Sequence, residues 1–172
     1  MGYFRRLLVA AVGGATLVGA GSLSVGASDT LVQFDSMTGV TQAQTNTFND
    51  RGIQAGGAPW VITSGTGEVD RQGNLEVQVS GLIIPILTPP HNPVPSFTAV
   101  VSCLTPGGVA TNVLTGPVGT GSTGDAMFAT QVALPHPCKS PEVFVGFVKP
   151  PAAGQTVGQF IWFAQSNAEG DD

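Results

Sequence analysis

Two cysteines, two histidines, two tryptophans and one glycine-rich loop are the residues of this 172-residue chain whose types and spacing could do chemistry. Cys103 and Cys138 are the only cysteines. In an oxidising compartment such a pair reads as one disulfide. Closing a loop of about 36 residues restricts the unfolded chain, worth about 4 kcal/mol in the chain-entropy model. A redox or metal-binding dithiol would need C-x-x-C spacing or chelating neighbours, and neither is present. His91 stands in Pro89-Pro90-His91-Asn92-Pro93 and His136 in Pro135-His136-Pro137-Cys138. An imidazole can be a neutral-pH base or a metal ligand. Both, however, occupy proline-stiffened loops with no carboxylate close in sequence, so they read as loop residues available to face a ligand.

Gly119-Thr120-Gly121-Ser122-Thr123-Gly124 matches G-x-G-x-x-G literally. A dinucleotide site needs a helix to open after that loop, whereas Gly124-Asp125 leads into a strand pattern. A glycine-rich turn is therefore expected. Ser122 also lacks the first glycine and the strand-to-helix setting of a nucleophile elbow. Asp35, Asp50, Asp70 and Asp125 are scattered and form no calcium-loop spacing. No catalytic residue, metal ligand or cofactor is expected. Trp60, after Gly56-Gly57-Ala58-Pro59, is the aromatic candidate for facing a ligand such as a sugar ring; Trp162 sits in a strand apolar on both sides and reads as core.

The elements that must hold these residues are strands. Leu75, Val77 and Val79 alternate with Glu76, Gln78 and Ser80, and the turn Asp70–Asn74 joins them to Gly65–Val69 as a hairpin. Runs at 97–104, 112–114 and 126–134 follow. The runs 142–148 and 159–165 are apolar on both faces, as central strands are. Asp29–Phe34 reads as an edge strand or ordered arm. The expectation is an all-β, immunoglobulin-like antiparallel β-sandwich of two sheets and about seven to eight strands. Its domain would span 58–166, with 28–57 a strand followed by a flexible, Thr/Gln/Asn/Gly-rich loop, and 167–172 an acidic tail. Gly81–Pro95, with Ile83, Ile84, Ile86 and Leu87 among prolines, is either packed over an open end of the sandwich or offered to a partner.

Residues 1–27 have the layout of an export signal: Arg5-Arg6, a weakly apolar run from Leu7, and Val25-Gly26-Ala27 as a small-residue cleavage site before Ser28. The run is long enough for an uncleaved anchor. Its glycines (Gly13, Gly14, Gly19, Gly21 and Gly26) favour a cleaved, secreted product without a stable membrane anchor. Arg5-Arg6 leaves the secretory and twin-arginine routes open. After cleavage, Arg51, Arg71, Lys139 and Lys149 face eleven acids, a net charge of −7. That charge repels polyanions and disfavours nucleic acid as a partner.

Two resemblances follow from these segments. Gly56–Ile62, Gly73–Leu82, Val101-Ser102-Cys103, Gly124–Phe128 and Leu134–Cys138 together look like uncharacterised small secreted proteins of high-GC Gram-positive and related bacteria. That likeness implies a disulfide-linked β-fold and no catalysis. Gly65–Asp70 followed by Leu75–Leu82 is similar to the first hairpin of chordin-type (CHRD) β-domains, which carry a histidine motif shortly after; here only His91 is present.

The combined expectation is an exported, non-enzymatic surface, matrix or binding module whose partner is a cell-envelope or extracellular protein or polysaccharide. Carbohydrate- or calcium-dependent binding and a secreted hydrolase are its rivals. Non-reducing mass spectrometry of culture medium should find Ser28–Asp172 with both thiols oxidised. A retained Met1 or two alkylatable thiols would contradict this reading.

Overall fold

Alternation in the sequence becomes sheet in the structure, a computed structural model that describes residues 29–167. The leader and residues 168–172 of the acidic tail lie outside the described residues. One antiparallel sheet joins, in order, β1 (Thr30–Phe34), β4 (Ser64–Asp70), β5 (Asn74–Ser80) and β9 (Ala126–Gln131). The other runs β2 (Met37–Gly39), β11 (Gln159–Ser166), β10 (Lys139–Lys149), β6 (Ser96–Leu104) and β7 (Ala110–Leu114). Two short strands complete it: β3 (Gln54–Ala55) pairs with β11, in parallel, and β8 (Val118–Gly119) pairs with β6. The protein is an all-β sandwich. β2, β3 and β8 raise the strand number above the expected seven to eight, because runs of two or three residues carry no readable alternation.

The β4–β5 hairpin forms where expected. Gly73 takes φ +83° at its turn, and a Cβ there would run into the Val132 carbonyl. Leu75, Val77 and Val79 turn inward and are buried, while Glu76 and Gln78 face water. From the facing sheet come Phe97, Ala99, Val101, Val143 and Val145, all fully buried. The disulfide expected from the sequence is present: Cys103 bonds Cys138, with their Cα atoms 4.8 Å apart. It ties the end of β6 to the start of β10, where Leu104 already pairs with Lys139.

The flexible loop expected within 28–57 is corrected. Residues 36–57 contain β2, a 3-10 turn at Gln42–Gln44 and β3. Both strands extend the sheet beside β11, and Val40, Ile53 and Ala55 are buried. Between them, Arg51 touches β10 through Ser140 and Glu142 and touches β7 through Asn112. Because β6 separates β10 from β7, this segment must cross the outer face of the larger sheet. Val100, Ser102 and Phe144, which point to that face, are fully buried.

At one end of the core Trp60 stacks on Phe163 with ring centroids 3.9 Å apart, and Phe97 meets both rings edge-on. Phe163→Ala should lower stability by about 3–5 kcal/mol. Met127→Ala, on the exposed face of β9, should change it by less than about 0.5 kcal/mol. Urea unfolding of both variants checks the assignment of faces.

Candidate functional site

Two loops, 81–95 and 116–125, are joined into one built surface feature outside the sheets. Leu82 and Ile84 anchor the first loop in the core. Val61–Ile83 and Ile84–His91 bridges then give it hairpin character. Asn92, only 5% exposed, stitches the two loops together. Its Nδ2 donates to the carbonyls of Val94 and Gly121, and its backbone N–H donates to Ser122. Thr120 N–H donates to Pro95, and Leu82 N–H donates to Gly124. A Cβ at Gly124 would strike the Leu82 carbonyl, so the close approach requires glycine.

Asp125 completes the join by accepting from Ser80 Oγ and from Gly81 N–H, each at 2.9 Å. A loop fixed at so many points can hold apolar groups in water. Pro85, Ile86, Pro89 and Pro90 form its exposed tip, with Ile86 67% exposed. The segment is thus divided: its base is core and its tip is surface.

His91 lies at the side of this tip, half-buried. Its Nδ1 is 2.8 Å from the Pro89 carbonyl. A carbonyl can only accept, so Nδ1 is the donor in this contact. His136 lies elsewhere, exposed in a small hollow of about 110 Å³ with Leu31, Arg71, Leu134 and Cys138. The two histidines therefore occupy separate neighbourhoods. Among the described residues no three His, Cys, Asp or Glu side chains converge on a metal-sized space. No family model, curated protein or solved structure matches the chain.

Trp60 is a correction. The sequence offers it as the aromatic candidate for facing a ligand, yet it is 4% exposed and packed between the sheets. Its backbone N–H donates to Val40, which turns the residue inward, and no ring face is left for a sugar. Ser122 uses its carbonyl to accept from Asn92, and β9 follows its loop instead of a helix.

A buried polar cluster under segment 36–57 escaped sequence reading. Arg51, 5% exposed, donates from Nη2 to Glu142 at 2.7 Å and to the Ser140 carbonyl at 2.8 Å. Asn49 Oδ1 caps the N–H groups of Arg51 and Ile53, and Asn112 Nδ2 donates to the Arg51 carbonyl. Ser102 pairs with both Asn112 and Glu142 in register, so it lies in the same row beneath Arg51. A buried guanidinium requires an anion and a carbonyl, and β10 supplies both. Ser102, Asn112, Ser140 and Glu142 all lie more than fifty positions from Arg51, out of reach of local pattern.

The Asp125 carboxyl is held below its ordinary pKa, first by the Gly81 N–H and then by the Thr123 and Ser80 hydroxyls. Because the folded-state value is depressed, its contribution is present above the unfolded pKa and is lost as pH falls through the folded value. Asp125→Asn should therefore be less stable than wild type at pH 7, and the gap should close as pH drops below about 4. Urea midpoints measured across that range give the check. A pH-independent gap would contradict a charge-dependent role for Asp125.

Proposed function

We propose that this chain is an exported, non-enzymatic binding module that presents the tip of loop 81–95 to a protein or polysaccharide of the cell envelope or its surroundings. The observation that carries the reading is the combination of rigidity and exposure at Ile86. Loose apolar loops pay conformational entropy when they bind, whereas a pre-ordered tip does not. The cost of building it is visible: the buried Asn92 amide, the required Gly124 and the Asp125 staple all serve to fix this loop. Pro85, Ile86, Pro89 and Pro90 are exposed together on this one tip, and contiguous apolar surface is what marks an interaction site.

Export is supported by three features of different origin. The leader has signal layout, the Cys103–Cys138 disulfide suits an oxidising compartment, and the acidic charge suits surroundings outside the cell. A charge of −7 after cleavage suits an extracellular partner better than a nucleic acid. The resemblance to small secreted bacterial proteins points the same way.

Retention of the purified mature protein on washed envelopes of the producing cells tests this reading. Ile86→Asp should reduce retention at least about tenfold, since it places a charge in an apolar contact. Ile86→Leu should keep it. Because Ile86 is exposed, both variants should unfold at the wild-type urea midpoint. Equal retention of wild type and Ile86→Asp would overturn the assignment of the tip as contact surface.

A further inference from the structure

The edge of β9 that faces away from β5, flanked near its start by β8, carries a second, separate surface. β9 closes the four-stranded sheet, and its register with β5 runs without a shift from Val79–Ala126 to Asn74–Gln131. Exposed edges are ordinarily blunted by charges, proline or a bulge. Ala126-Met127-Phe128-Ala129-Thr130-Gln131 has none of these. Which backbone groups point outward follows from the ladder. Val132 N–H donates to Gly73, so residues of even number along β9 bond to β5, and Met127, Ala129 and Gln131 turn their N–H and C=O away from it. Asp125 would be next in that set, but its carbonyl already accepts from Thr120 Oγ1. Among the described residues nothing hydrogen-bonds the outward groups of Met127 and Ala129. A groove of about 380 Å³ lies along this strand, walled on the other side by Thr115, Gly116, Pro117 and Val118.

Charge decides what would fit there. Cross-strand pairing places Gln33, Glu68, Glu76 and Ala129 in one row on the outer face. Thr66, Gln78 and Met127 form the next row, with Asp35 at its β1 end beside a hollow of about 540 Å³. Glu68 and Glu76 stand directly opposite each other, an arrangement that costs stability in the absence of a cation. Among the described residues neither is in an ion pair.

We infer that β9 accepts an extended, basic polypeptide segment of another protein as a fifth strand. Strands lie about 4.8 Å apart, so Glu76 stands roughly 9.6 Å from the added backbone. A Lys or Arg laid over the small Ala129 side chain spans that gap to meet the Glu76 carboxylate. Two residues away, an apolar side chain meets Met127, which is 64% exposed. The recognised pattern is a basic residue and an apolar residue at alternate positions, with backbone bonds to Met127 and Ala129.

The probe is the fluorescent peptide acetyl-Thr-Arg-Thr-Val-Thr-Arg-Thr-amide, titrated against the mature protein at low and high salt. Binding should weaken with salt and vanish when both Arg become Glu. It should fall about fivefold to tenfold in the Glu68→Gln/Glu76→Gln double variant. Ala129→Pro removes only an outward N–H, which an edge strand tolerates, and should abolish binding. Should that variant misfold, N-methylation of the peptide supplies the same test on unaltered protein: blocking the amides that face β9 abolishes binding, and blocking the alternate ones does not. On binding, the Met127 and Ala129 amides should become protected from hydrogen exchange. Equal binding of the Glu peptide, indifference to the site of N-methylation, or protection elsewhere would overturn the proposal. So would a β9–β9 dimer in sedimentation that Ala129→Pro disrupts, because a second copy would then be the occupant.

Discussion

The structure depends on one constraint: the larger sheet has strands that are apolar on both faces and must be covered on both. β10 and β6 bury Val143, Val145, Val101 and Ala99 against the smaller sheet, and Phe144 and Val100 on the side away from it. A two-sheet sandwich covers only the first set. Segment 36–57 covers the second, pairing with β11 through β2 and β3 and crossing to β7 by way of Arg51. The ion pair of Arg51 with Glu142 holds that cover down. Its value lies in position more than in net energy. Arg51 is buried while Glu142 keeps partial contact with water, so losing Glu142 strands the guanidinium.

The same economy shapes the rest of the surface. Few charged side chains are available, so loops are fixed by backbone and amide bonds. Asn92 and Asp125 hold loops 81–95 and 116–125 together without any cation. Exposed large apolar side chains are spread over several elements, and two of them are the Ile86 tip and the Met127 edge. These lie on different elements, one on a stitched loop and the other on a regular strand. Contacts at the tip would be made by side chains, and contacts at the edge mainly by backbone.

Much of this was legible in the sequence, and the failures have physical causes. The β4–β5 hairpin, the edge position of β1, the interior position of β10 and β11, and the disulfide all follow from alternation, turn residues and cysteine parity. Segment 36–57 was not legible as packed structure, because its few apolar residues (Val40, Ile53 and Ala55 among them) follow neither period. A signal did exist elsewhere: runs 142–148 and 159–165 were apolar on both faces, and a strand apolar on its outer face demands a cover. Trp60 misled for a related reason. Placed after Gly-Gly-Ala-Pro it reads as ligand-facing, while a long-range bond to Val40 ties it into the core. Asn92 and Arg51 work through partners far along the chain, which local pattern cannot reveal.

Native-state hydrogen exchange on the 36–57 cover is the most direct test. The Ala55 amide donates to Thr47 and the Gly56 amide donates to Trp162. If the cover belongs to the cooperative core, both amides should exchange only through global unfolding, with the same free energy as Val143 and Val145. Exchange of Ala55 and Gly56 at the rate of an open loop, with Val143 and Val145 still protected, would contradict the account.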